Sequence, residues 1–192
     1  MTYHPANEDA ERLFGMPKAS HTPPDLTTLM NALTQTDMPW STAPSLAGLN
    51  ASYRNMPPVA AMQIRAVACD GEQIYLHAPL SANVNDKHCA FGGSLASVMT
   101  VAAWGLLTWR LGQAGISAEV YVADSQLRYL APLQEDLLGE GQFATGENWP
   151  GFLRCFQERG RARIGLQARI RDSQGRAVAE MTARFAALRL NH

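Results

Sequence analysis

Residues 83–109 read NVNDKHCAFGGSLASVMTVAAWGLLTW. The stretch has two halves. Asn83 to Gly93 is short, polar and ends in two glycines, whereas Ser94 to Trp109 carries no charged residue. A helix without a polar face has to be buried on all sides, so this segment is expected to be the element around which the chain folds. The first turn of such a helix leaves backbone N–H groups unpaired, and together they carry roughly half a positive charge. Glycine at 92 and 93 allows a bound group to come close to that backbone. An anion-friendly spot is therefore expected at the helix start, beside Asn85 and Asp86.

Outward from this centre the pattern changes. On the N-terminal side, Thr42–Asn50 reads as a short helix and Pro57-Pro58 as a linker. Val59–Cys69 alternates loosely, Asp70-Gly71 is a turn, and Gln73–Pro79 is a second strand. The helix is expected to end near Gly112 or Gly115, either of which can adopt a left-handed cap. Beyond it, Ala118–Leu130 reads as a strand stopped by Pro132, and Leu137–Thr145 as another. Asn148–Glu158 reads as a connection containing at most one helical turn.

Arg161–Arg171 gives the cleanest alternation. Ala162, Ile164, Leu166, Ala168 and Ile170 share one face, and Arg161, Arg163, Gln167, Arg169 and Arg171 share the other. That is a half-buried antiparallel strand. Asp172–Gly175 turns it, and Ala177–Leu190 returns. Strands grouped around one buried helix imply an α+β fold, with an antiparallel sheet curled about that helix.

Residues 1–41 have another texture, punctuated by Pro5, Pro17, Pro23, Pro24 and Pro39. They read as an N-terminal arm, packed on the domain or a partner, or else as a disordered tail. Asp25–Leu33 would be a short capped helix within it. Residues 42–192 form the domain. Formal charge is −1, from 16 basic and 17 acidic residues, which leaves no electrostatic footprint for nucleic acid or an acidic membrane. The three cysteines have no paired spacing, as expected of a reduced, cytoplasmic protein. The polar, acidic N-terminus does not read as a signal peptide. The uncharged run is shorter than a membrane span needs.

The segment Asn85–Gly93, NDKHCAFGG, resembles the loop of hotdog-fold thioesterases, in which an asparagine, five residues and then His-Gly-Gly open the helix. The spacing is kept, with Phe91 in the histidine position. The longer run PLSANVNDKHCAFGGSLASVMTVAAWGLL, with VADSQLRYLAP and GRARIGLQARIRD after it, resembles the thioesterase domain of the YiiD C-terminal type. The resemblance covers about residues 42–190. It implies a curved antiparallel sheet wrapped around one long helix, and hydrolysis of an acyl thioester, acyl-CoA or acyl carrier protein. Coenzyme A enters only as part of the substrate, and no cofactor or metal is implied. It also implies a homodimer paired through the strand after the helix, with two dimers associating further in some members, and an acyl pocket at the subunit interface.

Thioester hydrolysis needs a stabilised oxyanion and an oriented, deprotonated water. The N–H groups of Gly92 and Gly93 are the oxyanion candidates. Asn85 matches the motif asparagine, and Ser94 could bond the thioester or merely cap the helix. Where related enzymes carry an aspartate on the helix, nine positions after the histidine, this chain has Thr100. The base is then Asp86 on the loop or Asp124 on the following strand, or catalysis is absent. Each residue also has a plainer reading. Gly92-Gly93 would be a tight turn, Asn85 and Asp86 would satisfy loop backbone, and Asp124 would pair with Arg128.

Arg161 and Arg163 suit the phosphates of coenzyme A, or else line a solvated face. His88-Cys89 replaces the Gly-Thr usual in this branch and adds bulk. Adjacent on one loop, the two present neither a nucleophile–base pair nor the four ligands of a zinc site. A hydratase on the same fold would need a histidine at the helix mouth, which Phe91 does not supply. The rival from another class is a non-catalytic acyl-CoA or acyl-lipid binding module, which the helix without a carboxylate favours.

Overall fold

The computed structural model describes residues 44–190. The proposed arm, residues 1–41, lies outside them. The chain enters through two short helices, α1 (Leu46–Arg54) and α2 (Pro57–Ala61). Ser45 caps α1 by accepting from the Gly48 N–H at 3.1 Å. Pro57 and Pro58 open α2, where a missing N–H is no loss and the fixed φ is already helical. The reading of this proline pair as a linker is thereby corrected, and the first strand starts later than its alternation suggested, at Arg65.

Strands β1 (Arg65–Cys69) and β2 (Gln73–Ala78) form an antiparallel hairpin. Its turn is held by Asp70, whose Oδ1 accepts from the N–H groups of Glu72 and Gln73. The long helix α3 (Gly92–Gln113) follows, then β3 (Ala118–Tyr129), β4 (Leu137–Phe143), α4 (Trp149–Arg159), β5 (Arg161–Arg171) and β6 (Ala177–Arg189). Six strands make one sheet in the order β1-β2-β4-β5-β6-β3, with neighbours antiparallel throughout.

The alternation of β5 is realised as read. Ala162, Ile164, Leu166, Ala168 and Ile170 are buried, and the arginines face outward. On the outer face Glu140 of β4 pairs with Arg169 at 2.8 Å and with Arg171 at 3.2 Å. Helix α3 packs on the inner face, and the contact is close because small residues permit it. A Cβ on Gly139 would strike Val98, and one on Gly141 would lie 3.1 Å from the Ala102 backbone. On the other side of α3, Tyr53 of α1 is 1% exposed and fits against Gly105. By length and composition α3 could cross a bilayer, but its Leu95, Val98, Met99, Ala102, Leu106 and Leu107 are buried in the domain.

Two expectations change. The helix is not buried all round: Ala96, Ser97, Thr100, Val101, Trp104 and Thr108 are only half-buried. And Asn148–Glu158 is not a connection but most of an eleven-residue helix, α4. Asn148 caps it by accepting from the Gly151 N–H at 3.0 Å, Pro150 sits in its first turn, and Gly160 ends it at φ +66°. The apolar side of α4 buries Phe152 and Phe156. Trp149 at its start stacks on Phe152 and lies under the Arg110 guanidinium, 5.1 Å from the ring centre.

Candidate active site

The loop before α3 is fastened on both sides. Asn83 is 2% exposed, and its amide donates to the carbonyls of Met62 and Pro79. Its own carbonyl accepts from the Phe91 N–H at 2.7 Å, and the Ala90 N–H reaches the Leu133 carbonyl at 2.7 Å. Between these anchors Asn85 organises a tight turn. Its Oδ1 accepts from the N–H groups of Lys87 and Cys89, its N–H donates to the Cys89 carbonyl, and its amide reaches the Cys89 sulfur at 3.3 Å. His88 stands in the left-handed region, at φ +60°.

The loop delivers an open helix start. Phe91 is the N-cap in extended conformation, and no side chain caps the first turn. The first intrahelical bond runs from the Leu95 N–H to the Phe91 carbonyl at 3.0 Å, so the N–H groups of Gly92 and Gly93 lie ahead of the ladder. Ser94 is buried, and Ser97 donates back to the Gly93 carbonyl at 2.8 Å.

Two aromatic rings stand at this turn. The Phe91 ring folds over Gly93, where any Cβ would collide with it, and the Tyr129 ring lies 3.7 Å from where a Cβ of Gly92 would be. The Tyr129 hydroxyl donates to the Gly92 carbonyl at 3.3 Å. Sequence reasoning missed Tyr129, because it closes a strand 37 positions away and belongs to no local motif. The one signal was its place just before the strand-ending Ala131-Pro132.

The carboxylates are arranged unequally. Asp86 is on the loop, largely exposed, with Lys87 at 3.6 Å. Asp124 lies beside a bulge in β3 and is bound by Arg184, with Nε at 2.8 Å. That hydrogen bond holds its carboxyl below the ordinary carboxylate range, which weakens it as a base. Its partner is Arg184 of β6. Tyr129 marks the level of the helix start, and Asp124 is five residues up the same strand, about 17 Å away.

The arginines are farther still. Tyr129 pairs with Ala179, which pairs with Ile170, so Arg163 and Arg161 lie seven and nine residues up β5, about 23 and 30 Å from that level. Within one chain Gly92, Gly93 and Ser94 open the helix, Asn85 and Asp86 lie in the turn closed by the Val84–Ala90 bridge just before it, and Asp124, Arg161 and Arg163 lie toward the opposite end of the sheet. Among the described residues, no group of three His, Cys, Asp or Glu is placed to hold a metal.

A family model described as "Putative thioesterase (yiiD_Cterm)" matches residues 48–189. The chain belongs to this thioesterase family. The matched region runs from α1 through β6 and takes in the loop, the glycine pair and both rings. Among solved structures, a protein of unknown function from Chlorobaculum tepidum is 25% identical, with a TM-score of 0.70 over 75% of this chain and 94% of the other. A putative thioesterase from Shewanella oneidensis is 23% identical, with a TM-score of 0.66 over 74% and 96%. A thioesterase from Haemophilus influenzae is 14% identical, with a TM-score of 0.63 over 81% and 98%. The last two share the fold at low identity, and that fold is the hotdog arrangement of one long helix in a curved antiparallel sheet. In this thioesterase domain Phe91 stands at the lip of the helix mouth.

Proposed function

We propose that the chain hydrolyses acyl thioesters, carried on coenzyme A or an acyl carrier protein, at the start of α3. The observation that carries the reading is the uncapped first turn at Gly92-Gly93, set at the mouth of an anchored loop. A thioester carbonyl placed there would receive the two N–H groups as its oxygen gains charge. One such donor contributes about 3–4 kcal/mol to the transition state. Water adds to the carbonyl carbon and gives its proton to a base. The tetrahedral intermediate then expels the thiolate, which takes a proton back.

Asp86 is the base we favour, since it is the carboxylate on the loop and its contact with Lys87 is exposed. Asn85 shapes the loop through its carbonyl oxygen, which leaves its amide hydrogens, now at the Cys89 sulfur, to turn toward substrate. Ser94 would line the floor of the site.

The rest of the reading needs a second copy. We place the homodimer contact on β3, an edge strand whose Tyr121 and Val122 are about half exposed, continuous with the half-buried side of α3. An antiparallel pairing of β3 with its copy brings the far end of one sheet beside the helix start of the other. Asp124, Arg161 and Arg163 would then serve the neighbouring subunit's site, the arginines meeting coenzyme phosphates.

Thiol release from acyl thioesters tests this. Asp86→Asn is expected to lower turnover by about 100-fold or more. Loss confined to Asp124→Asn would move the base to the strand. A second reading is a non-catalytic acyl-binding module. It is favoured by Thr100, which stands where a helix carboxylate would be and instead reaches the Met181 sulfur at 3.7 Å. Ligand-induced stabilisation without thiol release from any carrier would establish that reading over ours.

A further inference from the structure

We propose that Phe91 and Tyr129 select the acyl group, admitting an uncharged, apolar chain and rejecting one that ends in a carboxylate. The proposal rests on the thioesterase reading and names the substrate class of that site. Phe91 is 55% exposed and Tyr129 56% exposed. They are not scattered: each ring is held against one of two consecutive glycines at the helix start. The same rim contains Val84, bridged to Ala90 beside Phe91, and Leu130 next to Tyr129, at 46% and 41% exposed. A reacting carbonyl at the Gly92 and Gly93 N–H groups would have its acyl chain begin between these side chains.

Two physical effects then discriminate. Apolar acyl carbons gain by leaving water against the rings. A terminal carboxylate would have to shed water against ring faces that carry negative charge density. Glycine at 93 is part of the device, since a side chain there would displace the Phe91 ring.

The test compares hexanoyl with adipoyl thioesters, equal in length and differing in the end carboxylate. Both are presented on pantetheine, the part common to the two carriers, and on coenzyme A. Wild type is expected to favour hexanoyl by about 100-fold in kcat/KM, and Phe91→Ala to reduce that preference about tenfold. Tyr129→Phe, which keeps the ring, should retain more of the preference than Tyr129→Ala.

Equal rates on the two substrates would overturn the proposal. So would a preference unchanged in Phe91→Ala while its sedimentation shifts, which would assign the rings to a subunit contact. If no substrate turns over, binding of the non-hydrolysable hexanoyl and adipoyl thioethers decides separately. Tighter hexanoyl binding that weakens in Phe91→Ala supports the selection with catalysis absent, and equal or no binding sinks it.

Discussion

The hydroxyl of Tyr53 reaches the Val101 carbonyl at 3.3 Å, and in doing so occupies the space a side chain at Gly105 would need. α1 is thereby keyed to the middle of α3. Gly105→Ala is expected to cost about 1–3 kcal/mol, because Tyr53 is enclosed and cannot swing away. Adding Tyr53→Phe removes the colliding oxygen and should recover part of the loss. Chemical denaturation of the two single variants and the double variant reads the coupling, and additive losses would show that the two side chains do not meet.

His88 holds a backbone conformation that costs a side-chain-bearing residue about 1–2 kcal/mol. His88→Gly should therefore raise stability by up to about 1 kcal/mol, since glycine gives some of the gain back as chain entropy. In a chain of this length that is a rise of about 2–4 °C in Tm. A fall in Tm would mean that the imidazole makes a contact worth more than the strain.

Asp136 joins the end of β2 to the loop before β4. Its carboxylate accepts from the Leu80 N–H at 2.9 Å and meets the His77 ring at 3.0 Å. The Leu80 bond, with help from His77, lowers its pKa below the ordinary 3.8. A lowered folded value means that the stabilisation is complete well above 3.8 and is lost as pH falls through the folded value. Asp136→Asn should therefore narrow the stability gap between pH 6 and pH 3. An acid profile identical to wild type would remove Asp136 from the acid response.

The edge strand gives a separate test of assembly. Val122 is 46% exposed on β3, and a lysine there would put a charge on the proposed pairing edge. Val122→Lys is expected to weaken the dimer at least about tenfold, or about 1.4 kcal/mol, as read by analytical ultracentrifugation. An unchanged association constant would take the contact off β3.

Much of this architecture is legible in the sequence, for identifiable reasons. Arg161–Arg171 alternates so strictly that its faces and both its ends follow from composition alone, and the uncharged run after Gly93 specifies a core helix. The glycine–proline reading misled at α2 and α4. There the prolines start helices, and the signals that say so are Asn148 two residues before Pro150 and the left-handed Gly160 after the last turn. The site was only partly readable. Asn85, Asp86 and the two glycines sit close in the chain, and the loop and helix start follow one another directly in the structure. Tyr129 arrives through the pairing of β3 with β6, and nothing local marks it. Nor does any local pattern reveal that Arg161 and Arg163 lie at the far end of the sheet, since that follows only from how three strands are aligned.

An evenly greasy helix has no preferred side, so hydrophobicity cannot tell α3 how far to turn about its own axis. The angle is set instead by absent atoms: the vacancies at Gly139, Gly141 and Gly105 act as the wards of a lock. Gly105 is thirteen residues from Gly92, about 20 Å along the helix. Filling one notch would do more than lower stability, because a rotated α3 presents a different set of N–H groups at its mouth. Substitutions deep in the core of this domain should therefore surface as kinetic defects in proteins that still fold.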